Sequence, residues 1–283
     1  MTNTADLHIH TTASDGSDSP AQLLDNLKKA GITTFSVTDH DTIEGALEME
    51  KLVTTEFRFI RGIEFSCETA AGKGHIFGYN FDPSDDVFLS ALAEGAALRQ
   101  EKLRERLAFL EETLNIRFTE AELTWIHSQK SPGKPHFGKL LVDRGIAPSI
   151  DVAIQKHINP HKPRRDRIDG STAVAAILHA GGIPVWAHPL GGEGEKRLPP
   201  ERFGRLLRAL LGYGIRGMEC WYSRYSMSDV EFLLEQAERH GLTVTGGSDY
   251  HGTNKQDLPL GRLNTDGAPW TVDTDVLYGI ICK

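Results

Sequence analysis

The sequence predicts an α/β protein in which βα units wind around a parallel sheet or barrel, and three observations carry that expectation. Short apolar runs alternate with amphipathic helical stretches over much of the 283-residue chain. Residues 5–39 read as a complete βαβ unit. Histidines and acids collect at the C-terminal ends of the apolar runs, where βα barrels carry their active sites.

Strands are expected at 5–10, 33–39, 57–67, 75–80, 183–188, 214–221 and 242–248. Between the first two, Ser19 is the N-cap, Pro20 takes the first helical position, Leu23, Leu24, Leu27 and Ala30 share a face, and Gly31 terminates the helix. Further helices are expected at 42–52, 171–180, 200–211 and 226–240, the last ending in Gly241. Residues 84–169 show helical periodicity and no strand. Leu103, Leu107, Leu110 and Leu114 are interleaved there with Arg104, Glu105, Arg106, Glu111 and Glu112, as an amphipathic helix requires. Shorter helices cover 120–128, 136–144 and 150–157, and 157–167 reads as a loop in which Arg164, Arg165 and Arg167 form a solvated basic run. The chain thus divides into a barrel domain, 1–83 with 170–283, and a helical insertion, 84–169.

Composition narrows the function. With 39% apolar and 25% charged residues the chain is a globular protein with a sizeable core. A net charge of −8 argues against a broad nucleic-acid surface and against duplex DNA as a partner, while leaving room for a local basic pocket. Cys67, Cys220 and Cys282 are far apart and form no CxxC pair, so they are expected as small buried hydrophobes. No cleavable leader precedes Asp6 and no apolar run approaches the ~18 residues of a membrane span, so no membrane association and a cytoplasmic location are expected.

Chemistry enters at the strand ends. His8 and His10 are two apart on a strand and face the same way, so both imidazoles reach one cation or two adjacent ones, with Asp15 in the following turn. His40 ends the second strand, Glu64 lies in the third, His75 opens the fourth, His188 ends the fifth, and Asp249 and His251 follow the seventh. Imidazole and carboxylate without thiolate suit Zn²⁺, Mn²⁺ or Fe²⁺ better than Ca²⁺ or Mg²⁺. At three or four ligands per ion, these nine residues are too many for one metal and enough for two or three.

The runs His8-Ile-His10-Thr-Thr-Ala-Ser-Asp15-Gly16, Thr38-Asp39-His40-Asp41, Gly62-Ile-Glu64, Gly74-His75-Ile-Phe-Gly78-Tyr79, Ala187-His188-Pro189 and Gly247-Ser-Asp249-Tyr-His251-Gly252 together resemble the PHP (polymerase and histidinol phosphatase) family of metal-dependent phosphoesterases. The resemblance spans both ends of the chain. It is closest to the stand-alone branch with a helical insertion between strands four and five, which includes nucleotide 3′,5′-bisphosphate phosphatases, some also trimming short RNA from the 5′ end. It implies a distorted (β/α)7 barrel, the PHP fold, with the insertion capping the substrate. It also implies a trinuclear centre of divalent transition-metal ions (Mn²⁺, Fe²⁺ or Zn²⁺). One ion is then held by His8, His10, Glu64 and Asp249, a second by Glu64, His75 and His188, and a third by Asp15, His40 and His251.

The implied substrate is a small phosphorylated, nucleotide-like molecule. The attacking species is a metal-bridging hydroxide held by Glu64, Asp249 and His188, with no phosphoenzyme, and Asp39 orients an imidazole from behind. Tyr250 and His136 are candidate donors of the leaving-group proton. Lys134-Pro135-His136 stands where this branch commonly has Arg-Pro-His, so Lys134 and His136 are expected at a substrate phosphate, although lysine lacks the bidentate fork. Arg224 on the rim after strand six is a second phosphate contact, and Trp221 or Tyr222 stacks a base or packs the barrel. A cyclic phosphate and histidinol phosphate rank after a nucleotide bisphosphate as substrates. The non-enzymatic alternative is a metal- or nucleotide-binding module.

Overall fold

The computed structural model describes residues 4–163, 167–192, 196–255 and 257–261. Arg164, Arg165 and Cys282 lie outside the described residues. Its strands are β1 (Thr4–Asp6), β2 (Ile32–Val37), β3 (Arg58–Thr69), β4 (Gly72–Tyr79), β5 (Ile168–Asp169), β6 (Ile183–Ala187), β7 (Gly217–Tyr222) and β8 (Thr243–Gly247). Its helices are α1 (Pro20–Ala30), α2 (Glu44–Leu52), α3 (Asp86–Leu114), α4 (Glu120–His127), α5 (Lys134–Asp143), α6 (Ile150–Ala153), α7 (Gly170–His179), α8 (Pro200–Tyr213) and α9 (Met227–Arg239). A π-turn (Ile154–Ile158) follows α6 and a 3₁₀ turn (Gly252–Lys255) follows β8.

Seven strands bond in the order β1-β2-β3-β4-β6-β7-β8, and β5 pairs with β3 off this path. The two ends of the sheet meet just beyond the named strands. Leu7 N–H donates to the Gly246 carbonyl at 3.1 Å, Asp249 N–H to the His8 carbonyl at 2.9 Å and His10 N–H to the Tyr250 carbonyl at 2.9 Å. A side chain at Gly247 would run into the His8 backbone, so only glycine lets β8 come this close. The result is the expected barrel-shaped α/β sheet, with α1 opening as read: Ser19 and Gln22 make a capping box, and Gly31 closes the helix at φ +72°.

Two features depart from the expectation. First, β4 runs antiparallel to both β3 and β6, so the sheet is not wholly parallel. Only Ala70 and Ala71 separate β3 from β4, too few residues for the crossover helix that a parallel return needs. His75 consequently lies near the start of its strand, yet opposite Ser66 and Ala187, on the rim where the parallel strands end. Second, β5 lies inside the stretch read as strandless, because two residues carry no periodicity.

The core is layered. α1 and α2 set Leu23, Leu27, Ala46 and Met49 against Phe35 and Val37, while α7, α8 and α9 set Ile177, Leu206, Leu210, Val230 and Leu233 into a cluster with Phe65 and Met218. The 29-residue α3 serves two cores: Phe88 and Ala91 join the barrel cluster, whereas Leu103 and Leu110 join a separate one with Ile126, Phe137, Leu141 and Ile158. Each fully buried side chain of this size contributes about 1.5–3 kcal/mol of transfer free energy, so α3 is fixed at both ends. Among the described residues no helix is long and apolar enough to cross a membrane.

Candidate metal centre

All nine expected donors reach one rim of the barrel, each carried there by backbone rather than by a long side chain. His8 and His10 do project together, with their Nε2 atoms 3.1 Å apart. His40 follows β2, Glu64 sits in β3, His75 in β4, His188 follows β6, and Asp249 and His251 follow β8. His188 and Asp249 hold positive φ, at +29° and +59°, a region that residues with a Cβ rarely adopt. Sharp turns at these strand ends aim both side chains back over the barrel mouth, and strain of this kind concentrates at functional sites.

Glu64 stands in the middle with its two oxygens divided. Oε1 lies 2.6 Å from His75 Nδ1 and 3.0 Å from His188 Nε2, while Oε2 lies 3.4, 3.2 and 3.1 Å from His8, His10 and His40. Asp249 Oδ1 faces His8 at 3.2 Å, His10 at 3.4 Å and His251 at 3.4 Å, and Asp15 Oδ1 lies 3.3 Å from His251 Nε2. Three groups have donor atoms close enough to share an ion: His10, Asp15, His40 and His251; His8, His10 and Asp249; and His40, Glu64 and His75.

A divalent cation fits this donor set. Asp15 Oδ1, His40 Nδ1, Glu64 Oε2 and His251 Nε2 are buried without any hydrogen-bond partner. A buried polar atom left unpaired costs about 1–3 kcal/mol, and four so close together are what a metal site leaves behind when its ions are not counted. Burial pushes the Asp15, Glu64 and Asp249 carboxyls up, yet each is held well below the ordinary range. His40 and His251 do this for Asp15, His40, His75 and His8 for Glu64, and Lys255, His8 and His251 for Asp249. The acids therefore stay ionised in a dry pocket, which calls for cations. Burial depresses His8 and His10, but nearby carboxylates reverse that: Glu219, Asp249 and Glu64 lift His8 well above its usual value, and Asp249 and Glu64 lift His10 to about 9.

A family model for the PHP domain matches residues 6–121. The chain carries a PHP domain. Beyond residue 121 the similarity continues through whole relatives. The chain is 27% identical over 261 residues to a 3′,5′-nucleoside bisphosphate phosphatase of Chromobacterium violaceum, covering 91% of this chain and 90% of the relative. It is 28% identical over 257 residues to a 5′-3′ exoribonuclease of Haemophilus influenzae, covering 89% and 91%. A solved structure from Bifidobacterium adolescentis, of a protein assigned to the metal-dependent phosphoesterases, superposes with a TM-score of 0.83 at 26% identity, over 100% of this chain and 96% of that one.

Several supports of the PHP-domain rim were not foreseen. Glu219 of β7 is fully buried; its Oε1 lies 3.0 Å from His8 Nδ1 and its Oε2 accepts from the His188 backbone N–H at 2.7 Å. A carboxylate only accepts, so the His8 proton sits on Nδ1 and Nε2 is left facing the centre. Its signal was a lone acid between Met218 and Cys220 in an apolar run. The Tyr222 hydroxyl donates to Asp249 Oδ2 at 2.8 Å and Lys255 Nζ to the same oxygen at 3.1 Å, which turns Oδ1 to the histidines. Tyr222 is thus fully buried and does not stack a base.

Asp39 behaves differently from its expected role. It accepts from Thr11 N–H and Oγ1, both at 2.7 Å, and from Ser14 Oγ at 2.5 Å, so it shapes the turn carrying Asp15 and touches no imidazole. Among the described contacts, Ser14, 3.4 Å from His10 Nδ1, links it to a ring. Tyr250 is also tied elsewhere: its hydroxyl donates to Asp18 Oδ2 at 2.8 Å, and burial with that bond pushes it up to about 12.

The expected substrate contacts are scattered around the mouth. Lys134 is exposed at the start of α5, with Nζ donating to Asn159 Oδ1 at 2.7 Å. His136 Nδ1 accepts from the Gly133 N–H at 3.0 Å, and burial lowers its pKa. The same segment reaches the centre through Ser131, whose hydroxyl donates to the His40 carbonyl at 2.6 Å. Arg224 pairs with Asp257 at 2.8 Å.

Proposed function

We propose that this PHP-domain protein, a metal-dependent phosphoesterase, hydrolyses a small nucleotide-like phosphate ester, with a nucleoside 3′,5′-bisphosphate as first substrate and short RNA 5′ ends as an extension. The observation that carries the reading is Glu64, whose two oxygens face different sets of imidazoles. In this reading His8, His10, Glu64 and Asp249 hold one ion, Glu64 with His75 and His188 a second, and Asp15, His40 and His251 a third. The ions are Mn²⁺, Fe²⁺ or Zn²⁺. Such ions neutralise phosphoryl oxygens and bring the acidity of water toward neutral pH.

The protein's own residues prepare that chemistry. Glu64, Asp249 and His188 border the place where an attacking water would be positioned, and Glu219 fixes the proton of His8 away from it. Ser14 and Ser66 are already engaged, with Asp39 and Arg99, and Ser248 is fully buried, so no nucleophilic hydroxyl is invoked and this reading needs no phosphoenzyme. The choice of substrate draws on the two relatives above, named for bisphosphate phosphatase and exoribonuclease activity. A phosphoribosyl 1,2-cyclic phosphate 1,2-diphosphodiesterase of Eggerthella lenta is 26% identical over 254 residues and marks the second reading.

A phosphate-release screen tests both readings. Nucleoside 3′,5′-bisphosphates, 5′-phosphorylated RNA trimers, a ribose cyclic phosphate and histidinol phosphate are offered with Mn²⁺, Fe²⁺ and Zn²⁺ in turn. Highest kcat/KM on the bisphosphate is expected. Preference for the cyclic phosphate transfers the assignment to the second reading, and release from none of them removes the phosphatase reading.

A further inference from the structure

We propose that Arg99 of α3 and Ser131, just ahead of α5, are positioning residues that clamp the His40–Asp41 turn, so that one ion of the centre is held tightly only while the helical insertion stays docked on the barrel. That ion is the one assigned to Asp15, His40 and His251 in the functional reading above, on which this inference rests. The insertion thereby takes part in loading the metal centre, separately from any contact with substrate.

His40 lies beyond the end of β2, joined to β3 by an isolated bridge to Glu64. In it the Asp41 N–H donates to the Glu64 carbonyl at 3.0 Å and the Glu64 N–H to the Asp39 carbonyl at 3.2 Å. Asp41 then takes φ +51°, a conformation that a residue with a Cβ keeps only where its surroundings fix it. Part of that fixing comes from the insertion. Asp41 Oδ2 accepts from Arg99 Nε at 2.6 Å, Asp41 Oδ1 from the Ser66 N–H at 2.7 Å, and Arg99 Nη2 donates to Ser66 Oγ at 3.1 Å, closing a ring of three side chains. Arg99, Asp41 and Ser66 are only 6, 4 and 5% exposed, and hydrogen bonds between ionised groups in so dry a place are the strong kind. From the other side the Ser131 hydroxyl, itself 1% exposed, donates to the His40 carbonyl at 2.6 Å.

The insertion meets the centre at ligands of one ion. Gly95 lies one turn before Arg99 on the same face of α3, and a Cβ there would stand 3.6 Å from the Asp41 Cβ, so the helix rests directly on the turn after His40. A Cβ at Gly133, two residues past Ser131, would stand 3.5 Å from Asp15 Oδ2. Other ligands take their support from the barrel and its own loops: Glu219 behind His8 and the His188 N–H, Ser14 beside His10, Tyr222 and Lys255 on Asp249. Phe137 and Leu141 of α5 belong to a core separate from that of the barrel. Movement of that core as a unit takes Ser131 off the His40 carbonyl and leaves the ligands on strands where they are. Docking and binding of this ion therefore strengthen each other, and by linkage they do so by the same factor.

The test uses the full chain with Mn²⁺ as the probe, measuring bound metal per chain across a concentration series for wild type, S131A, R99Q and R99K. One ion should bind about tenfold more weakly in S131A and R99Q, as when a group behind a metal ligand is lost, with the other ions unchanged and R99K recovering part of the loss. Equal weakening of every ion, or of none, would overturn the clamp. Amide exchange reads the same coupling from the other end. Mn²⁺ should slow exchange over residues 95–102 and 129–136 of wild type, and less so in S131A, whereas exchange indifferent to the metal refutes the coupling. D15N, which alters a ligand of the same ion, should lose that ion too. If D15N binds metal as wild type does, the ligand assignment fails by itself and the exchange experiment decides the clamp. Thermal melting identifies a variant that does not fold, and S131A, which removes a single hydroxyl, then carries the comparison in place of R99Q.

Discussion

At the barrel rim, short imidazole and carboxylate side chains are positioned by strands, and Glu64 alone has five histidines within 3.4 Å. Across the mouth, the 84–169 helices present long cations, Arg99 and Lys134, whose charged ends lie several bonds from the backbone. Rim atoms are placed by backbone that has few alternatives, as the positive φ of His188 and Asp249 shows. On the helix side Arg99 is fixed by Asp41 and Ser66, whereas the exposed Lys134 keeps rotamer freedom and adapts to a ligand. The rim is therefore suited to holding ions and orienting a reaction, and the exposed part of the helices to recognition. Rim variants should change metal content and kcat, and variants on the exposed helix side KM and selectivity.

The largest effect is expected at Glu64. E64A removes the one carboxylate that faces both imidazole sets, and several kcal/mol of transition-state stabilisation correspond to a loss of roughly 10³ in kcat. Metal analysis by mass spectrometry should show fewer ions per chain. Full metal content with full activity would break the division of labour between rim and helices. Next comes pH. In the metal-free protein His10 is raised from 6.5 to about 9 and His8 also rises, so their protonation contributes stability below pH 6.5 that is lost as pH climbs through 9. Ions must displace those protons, so metal affinity should rise about tenfold per pH unit for each proton released over the same window. A flat metal affinity across that range, by competition titration, would contradict the proton count.

Much of this rim was legible, because a metal ligand needs a particular side chain at a strand end and both signals lie in local sequence. The HxH pair, His40 after an apolar run and the Asp249-Tyr-His251 turn required no knowledge of the fold. What escaped was non-local. Glu219 contacts His8 across 211 residues of chain, and nothing local distinguishes a buried acid from an exposed one on a strand. The reversal of β4 was implicit in the short gap after β3, but apolar pattern alone carries no strand direction. Arg99, Lys102 and Arg106 share a helix with Leu103 and Leu110, and in a one-dimensional pattern buried cations look like the solvated face of an amphipathic helix.

E219Q sharpens the comparison from behind the ligands. Glutamine keeps the volume but exchanges one acceptor oxygen for an amide donor, so it no longer satisfies both His8 Nδ1–H and the His188 N–H that Glu219 serves at 3.0 and 2.7 Å. A group standing behind metal-bound histidine typically accounts for about 10- to 100-fold in metal affinity or activity. Most of that loss should appear in metal titration, with KM at saturating metal little changed. A rise in KM without loss of metal would move Glu219 from supporting His8 to contacting substrate.

The smallest effect is expected at Lys134, on the helix side. Its ammonium is exposed and its hydrogen bond to Asn159 crosses solvent-accessible space, where such contacts contribute less than about 1 kcal/mol. K134A should therefore raise KM for a phosphorylated substrate by about two- to fivefold, leave kcat and metal content alone, and lose its effect as salt screens the charge. If K134A instead lowered kcat as well, Lys134 would have to leave Asn159 and close on the substrate. Recognition would then lie in a movement of α5 toward the rim.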